Sequence, residues 1–217
     1  MKHYLFDFDG TLVNSMPTYI NVMLRILDEN NIPYGSDIVK IITPMGYLNT
    51  AKYYRSLGLD MPEEEIVALM HKYAFYEYAH NVAAKAHVIP ALRALKAKGK
   101  DLNILTASPH GALDPCLKRL GIWDLFTNIW SCEDFGTSKA DPNIYVMAAE
   151  RIGAPVSEVL FLDDNYHADR IAKEAGMAVC GVYDESSREY EEEIRSVSDY
   201  YIRDFSELDK IAEKEDG

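Results

Sequence analysis

Two acidic motifs carry most of the chemistry this sequence can support. Asp7-Phe8-Asp9-Gly10-Thr11 ends the first apolar run of the chain, and Asp163-Asp164 ends a later one. Between them stand Thr106-Ala107-Ser108, also at the close of an apolar run, and Lys139 in a polar loop. Carboxylates gathered at one rim repel one another unless a cation joins them. Mg2+ suits such a group, because it takes oxygen ligands and is held by one or two carboxylates together with waters and substrate phosphate. Asp7, Asp9, Asp163 and Asp164 are therefore the candidate metal ligands. Thr106 and the backbone N–H groups of Phe8, Gly10 and Ala107 are candidate donors to phosphate oxygens. Lys139 adds positive charge where charge develops in phosphoryl transfer. Asp7, at a strand end, is placed to attack phosphorus and form an aspartyl-phosphate.

These residues meet only if the elements carrying them share one edge of a sheet. The run Tyr4-Leu5-Phe6-Asp7-Phe8 reads as a buried strand that stops at Gly10. From there to about residue 85 the pattern is helical. Ser15 is a candidate cap and Pro17 lies in the first turn of a helix with Met16, Tyr19, Ile20, Met23, Leu24 and Leu27 on one face. A second helix is expected over 47–57, and a third after Asp60 as cap, with Pro62 and Glu63-Glu64-Glu65 in its first turn. Beyond residue 85, helices and strands alternate. Strands are expected at 102–106, 126–131, 159–162 and 178–183, with a last strand–helix pair over 199–214. Helices open at Pro90, near Gly111, at Asp141-Pro142 and after Asp164. Such alternation implies an α/β fold with a parallel sheet covered by helices on both faces. In such sheets ligands bind beyond the carboxyl ends of the strands, where the strand order reverses. The helical stretch is then an insertion after the first strand: an α/β core of 1–13 and 86–217, and a helical cap of 14–85.

Composition narrows the partners. The chain has 217 residues, 22 basic against 35 acidic, and a net charge of −13. Nucleic acid is held mainly by clustered Lys and Arg, so no nucleic-acid partner is expected. No apolar run approaches the ~20 residues of a membrane span, and none near the start has the form of a signal peptide. Cys116, Cys132 and Cys180 are widely spaced and read as buried thiols of a reducing cytoplasm. Asp169 reads as a surface helix residue, Ser108 as a weaker site candidate than Thr106, and the Glu-rich stretch 189–193 as solvated surface. Oligomeric state is not legible.

Taken in order, Asp7-Phe8-Asp9-Gly10-Thr11-Leu12, Thr106, Lys139 and Asp163-Asp164 resemble the four motifs of the haloacid dehalogenase superfamily of phosphotransferases. The resemblance spans essentially the whole chain, and the insertion is similar in position and helical content to the caps of phosphoglycolate phosphatases and β-phosphoglucomutases. It implies a Rossmann-like core and Mg2+ as cofactor. It assigns Asp7 as nucleophile and metal ligand. Asp9 would bind the metal through its backbone carbonyl, while its side chain protonates the leaving oxygen and then activates water. Thr106 would hold the phosphoryl group and Lys139 would neutralise it. Asp164 would ligate the metal directly, and Asp163 directly or through water. An aspartate two positions after the nucleophile looks like the mark of phosphatases and phosphomutases. Two departures bear on loop shape, Asn14-Ser15 in place of the commoner acidic residue followed by Ser or Thr and Ala140 in place of Pro, and a third, the lack of a glycine in Ala86-His87-Val88-Ile89-Pro90, bears on the hinge after the cap.

The expected activity is Mg2+-dependent hydrolysis of a small phosphomonoester. A β-phosphoglucomutase-like phosphomutase is the alternative, and a non-catalytic phosphometabolite sensor the third reading.

Overall fold

The computed structural model describes residues 1–43 and 45–215, with side chains as far as residue 212. Its apolar runs form six strands: β1 (His3–Phe6), β2 (Asp101–Thr106), β3 (Asn128–Ser131), β4 (Val159–Asp163), β5 (Ala178–Val182) and β6 (Tyr200–Ile202). All pair in parallel, in the order β3-β2-β1-β4-β5-β6. The helices are α1 (Met16–Glu29), α2 (Ile38–Ile42), α3 (Gly46–Ser56), α4 (Glu63–His80), α5 (Val88–Ala97), α6 (His110–Arg119), α7 (Asn143–Ile152), α8 (Tyr166–Glu174), α9 (Glu191–Val197) and α10 (Leu208–Glu215).

A parallel sheet is covered on both faces, so its central strands are apolar throughout rather than alternating. Every residue of β4 is buried, as are Tyr4, Leu5 and Phe6 of β1. Successive side chains point to opposite faces. Leu5, Phe161 and Val179 therefore pack with Tyr145 and Ala148 of α7 and Ile171 of α8 on one side. Phe6 faces the other side, stacked on Phe205 and edge-on to Phe126. Each such fully buried side chain contributes about 1.5–3 kcal/mol of transfer free energy.

The chain divides into two units, Met1–Asn14 with Ala83–Gly217, and Ser15–Val82. The second has its own core, in which Met23, Ile26 and Leu27 of α1 pack with Tyr54 of α3 and Ile66 and Met70 of α4. Tyr54 satisfies its buried hydroxyl by donating to Met23 O at 3.0 Å. Within the first unit, the segments that lead out to the insertion and back pair antiparallel. Asn14 N donates to Ala83 O at 2.9 Å, and Lys85 N to Leu12 O at 3.0 Å.

Several local expectations are corrected. Ser15 and Asp60 do not cap: α1 begins with Ser15 already helical and without a side-chain bond, and the residue before α4 is Pro62. The Ser15 hydroxyl is buried with no hydrogen-bond partner. The helix expected at Pro90 starts earlier, at Val88, directly after His87 takes up a left-handed conformation with φ of 61°. The Glu-rich stretch 189–193 lies at the surface as expected, and its second half opens α9, which buries Ile194. All three cysteines are buried and unbridged. Among the described residues, no helix is long and apolar enough to cross a membrane.

Candidate active site

Strand order reverses between β1 and β4, which are hydrogen-bonded neighbours. Their carboxyl ends therefore flank the crevice where such sheets bind ligands. Phe6 pairs with Leu162, and Asp7 N donates to Leu162 O at 2.8 Å, so the next residues outward, Asp7 and Asp163, stand side by side. Carboxylate oxygens of Asp7, Asp163 and Asp164 all lie within 4.8 Å of one another.

Lys139 reaches this group from the loop between β3 and α7. Its ammonium donates to Asp7 Oδ1 and, at 2.7 Å, to Asp163 Oδ2. The loop is fixed by neighbours on either side. Ser131 and Asp134 cap the short turn after β3 reciprocally, and Gly136 supplies a φ of 65°. Tyr145 of α7 shares its hydroxyl proton between Lys139 O at 3.2 Å and Ala168 O at 3.1 Å. Asp163 in turn accepts from Asn165 N at 2.8 Å, and the Asn165 side chain caps α8.

The first motif folds back on itself: Leu12 N and Val13 N donate to Phe8 O at 2.9 and 3.0 Å. Gly10 sits in this loop at φ +77°, and a Cβ there would lie 2.5 Å from Asp164 Oδ2. Both the conformation and the closeness of Asp164 demand glycine. Its N–H donates to Val13 O at 3.0 Å, so what Gly10 offers is chiefly its missing side chain. Thr11, part of the motif but without an expected role, donates from Oγ1 to Asp164 Oδ1 at 3.2 Å.

The third strand end supplies hydroxyls. Thr106 is buried at the end of β2, and its Oγ1 accepts from Ser108 N at 3.1 Å, which leaves the hydroxyl proton available to an incoming oxygen. Ser108 donates to Asp9 Oδ2. The Asp9 carboxylate is thus held by Ser108 and is not one of the three clustered carboxylates. Phe8 is fully buried and Ala107 is exposed at the mouth of the same edge.

Burial and crowding set the charge states. Asp7 is pushed up to about 7 by burial, with Asp163 and Asp9 adding to the shift and Lys139 opposing it. Asp164 lies well above the ordinary carboxylate range, through burial and then through Asp163 and Asp7. Burial alone would lower the Lys139 ammonium, but Asp163 and Asp7 more than offset it and hold the group well above an ordinary lysine.

Asp169 is the largest departure from expectation. It is not on the surface but fully buried in the first turn of α8, on the face that carries Ala168, Ile171 and Ala172. Both its carboxyl oxygens lack a hydrogen-bond partner. Burial, then the charges of Asp163 and Asp164, raise it well above the usual range, which favours the protonated form. Its place three residues before the buried Ala172 is the sign in the sequence of its inward position.

A magnesium ion fits this donor set. Octahedral Mg2+ with oxygens at about 2.1 Å spans about 4.2 Å between opposite ligands. The oxygens of the three clustered carboxylates lie within 4.8 Å of one another, so a closure of at most about 0.6 Å brings them to the span of one ion. Their oxygen chemistry suits a hard cation, and the upward shifts of Asp7 and Asp164, caused first by burial and then by the neighbouring carboxylates, show that the charged forms lack compensation there.

Residues 4–182 match the haloacid dehalogenase-like hydrolases. The chain belongs to this family. Phosphoglycolate phosphatase of Escherichia coli strain K12 is 29% identical over 201 residues, covering 82% of this chain and 79% of that protein. A Haemophilus somnus 129PT structure, predicted to be a phosphoglycolate phosphatase, aligns at a TM-score of 0.79 with 25% identity over 98% of each chain. A Thermotoga maritima structure assigned as a β-phosphoglucomutase aligns at 0.85 over 99% of each chain, with 20% identity. The last of these speaks to fold alone.

Proposed function

We propose that this chain is a Mg2+-dependent phosphatase that hydrolyses a small phosphomonoester through an aspartyl-phosphate on Asp7. The phosphoric monoester hydrolase class rests on the family and on relatives that are themselves phosphatases. The finer reading rests on one observation: Asp7, buried at the strand switch point, is bridged by Lys139 to Asp163 and faces Asp164.

Asp7, Asp163 and Asp164 would hold the ion, with the backbone carbonyl of Asp9 completing the protein ligands. When bound, Mg2+ supplies charge neutralisation to the carboxylates and the phosphoryl oxygens, and so favours the ionised, nucleophilic form of Asp7. Lys139 keeps the Asp7 carboxylate in place and stabilises negative charge on the transferring group. The Thr106 hydroxyl donates to a phosphoryl oxygen. Asp7 attacks phosphorus in line, and the Asp9 carboxyl, oriented by Ser108, gives its proton to the departing oxygen. The same Asp9, now a carboxylate, takes a proton from water, which attacks phosphorus and frees Asp7 and inorganic phosphate.

A phosphomutase would use the same groups and return the phosphoryl group to a sugar hydroxyl. The relatives' substrates, phosphoglycolate and pyrophosphate among them, set the first compounds to try. The test is a panel of phosphate esters assayed with Mg2+, with EDTA, and with Asp7→Asn. Phosphate release that needs Mg2+ and is lost in Asp7→Asn supports the reading. Activity that survives either change overturns it, and isomerisation of a sugar phosphate without net release assigns the mutase.

A further inference from the structure

The turn that carries Asp9 is held from outside the motif by a lysine 75 residues further along the chain. Lys85 lies in the segment that re-enters the α/β unit, and its ammonium donates to Gly10 O at 2.5 Å, Tyr183 O at 2.6 Å and Asp184 Oδ2 at 2.9 Å. An ammonium has three protons, and all three are used. The side chain is 18% exposed and that of Asp184 only 8%, so water competes weakly for these bonds. Asp184 is itself oriented, since its Oδ1 accepts from Ser186 N at 3.0 Å and from Ser186 Oγ at 2.6 Å.

Gly10 is the least constrained residue type in the loop, and its two flanking peptide planes decide where Asp9 and Thr11 point. The plane before it is fixed by Gly10 N on Val13 O, a bond within the loop. The plane after it is fixed by Gly10 O on Lys85, which ties the loop to the residues that follow β5. Released from Lys85, the Gly10 carbonyl would be a partly buried acceptor without its charged donor, and the peptide would rotate to regain water.

We propose that Lys85 is a positioning residue for the reaction: by gripping the Gly10 carbonyl against the Tyr183–Asp184 loop, it holds the Asp9–Gly10–Thr11 turn so that the Asp9 carboxyl meets the leaving oxygen. This rests on the phosphatase reading, with Asp9 as the proton donor. Lys85 touches neither phosphate nor metal, and it acts only through the turn.

The role has a signature that general loss of stability lacks. Proton donation matters most when the leaving group is a poor one and least when it departs as a stable anion. Lys85→Met should therefore lower kcat/KM, which reports the transfer to Asp7 and not the later hydrolysis common to all esters, about tenfold more on an alkyl phosphate such as glycerol 2-phosphate than on 4-nitrophenyl phosphate. Lys85→Cys should show the same skew, and 2-bromoethylamine, which rebuilds an ammonium at the same reach, should remove it. The native thiols are all buried, which directs alkylation to the introduced one. If Lys85→Met does not fold, Lys85→Arg serves, because a planar guanidinium keeps the charge but cannot set three donors on three convergent acceptors. Equal losses in kcat/KM on both esters, or no loss, overturn the proposal while wild-type activity leaves the phosphatase reading standing. A wild-type protein inactive on both esters brings down the phosphatase reading and this proposal with it.

Discussion

Gly10 and Asp164 approach so closely that a methyl group on the glycine would lie 2.5 Å from one carboxylate oxygen and 2.6 Å from the other. The loop after β1 is thus shaped around a side chain delivered by β4, and the two halves of the sheet meet at that contact.

Gly10→Ala should therefore do more than strain a backbone at φ +77°. The strain costs about 1–3 kcal/mol, and the displaced Asp164 should weaken Mg2+ binding and cut kcat about 100-fold. Titration of activity with Mg2+ checks this. A variant with wild-type Mg2+ dependence would show that the Asp164 contact is incidental.

Lys139→Met should leave Asp7 and Asp163 without their shared counter-charge. The three side chains are 14%, 8% and 2% exposed, respectively. Removing one partner of a buried ion pair costs about 3–5 kcal/mol when the other stays ionised, and less when it takes up a proton. The fall in thermal midpoint in EDTA should therefore be larger at pH 8 than at pH 5.5. Equal falls at both values would mean that the lysine contributes packing and not charge.

Asp169 makes a prediction of opposite sense. Its folded pKa is raised above the unfolded one, so the folded state keeps a proton that the unfolded state releases. Stability falls as pH climbs above about 4 and continues to fall until the folded-state pKa is passed. Asp169→Asn, which cannot ionise, should abolish this loss. In metal-free protein the variant should gain in thermal midpoint over wild type from pH 4 to pH 7, and the two should converge at low pH. Constant spacing of the two curves would show that Asp169 is not buried as the neutral acid.

What could be read from the sequence was whatever lay at strand ends. Asp7, Thr106 and Asp163-Asp164 each follow an apolar run, and the parallel sheet brings such ends together without any need to know the side chains in between. Lys139 was legible from its order among them. Lys85 was not, because its three acceptors come from two loops far apart in the chain, and nothing near it in sequence distinguishes it from a solvated lysine. Ser108 was undervalued for a similar reason: its partner Asp9 is reached across the sheet edge. Asp169 has the charge of a surface residue, and only its place three residues before Ala172 points inward. Ser15 and Asp60 have the composition of caps, yet the chain enters α1 already helical and α4 through Pro62. Cap identity depends on the entry angle, which composition does not record.

Asn14 and Ala83 are hydrogen-bonded neighbours, so the chain leaves the α/β unit and returns to it at a single point. Seen from the sheet, everything from Ser15 to Val82 is one closed loop, whatever it contains. Its length and sequence could change over generations without altering the register of β1 with β2 and β4. The layout is that of a socket: the strands keep their pairing fixed whatever helices are seated in the opening between Asn14 and Ala83.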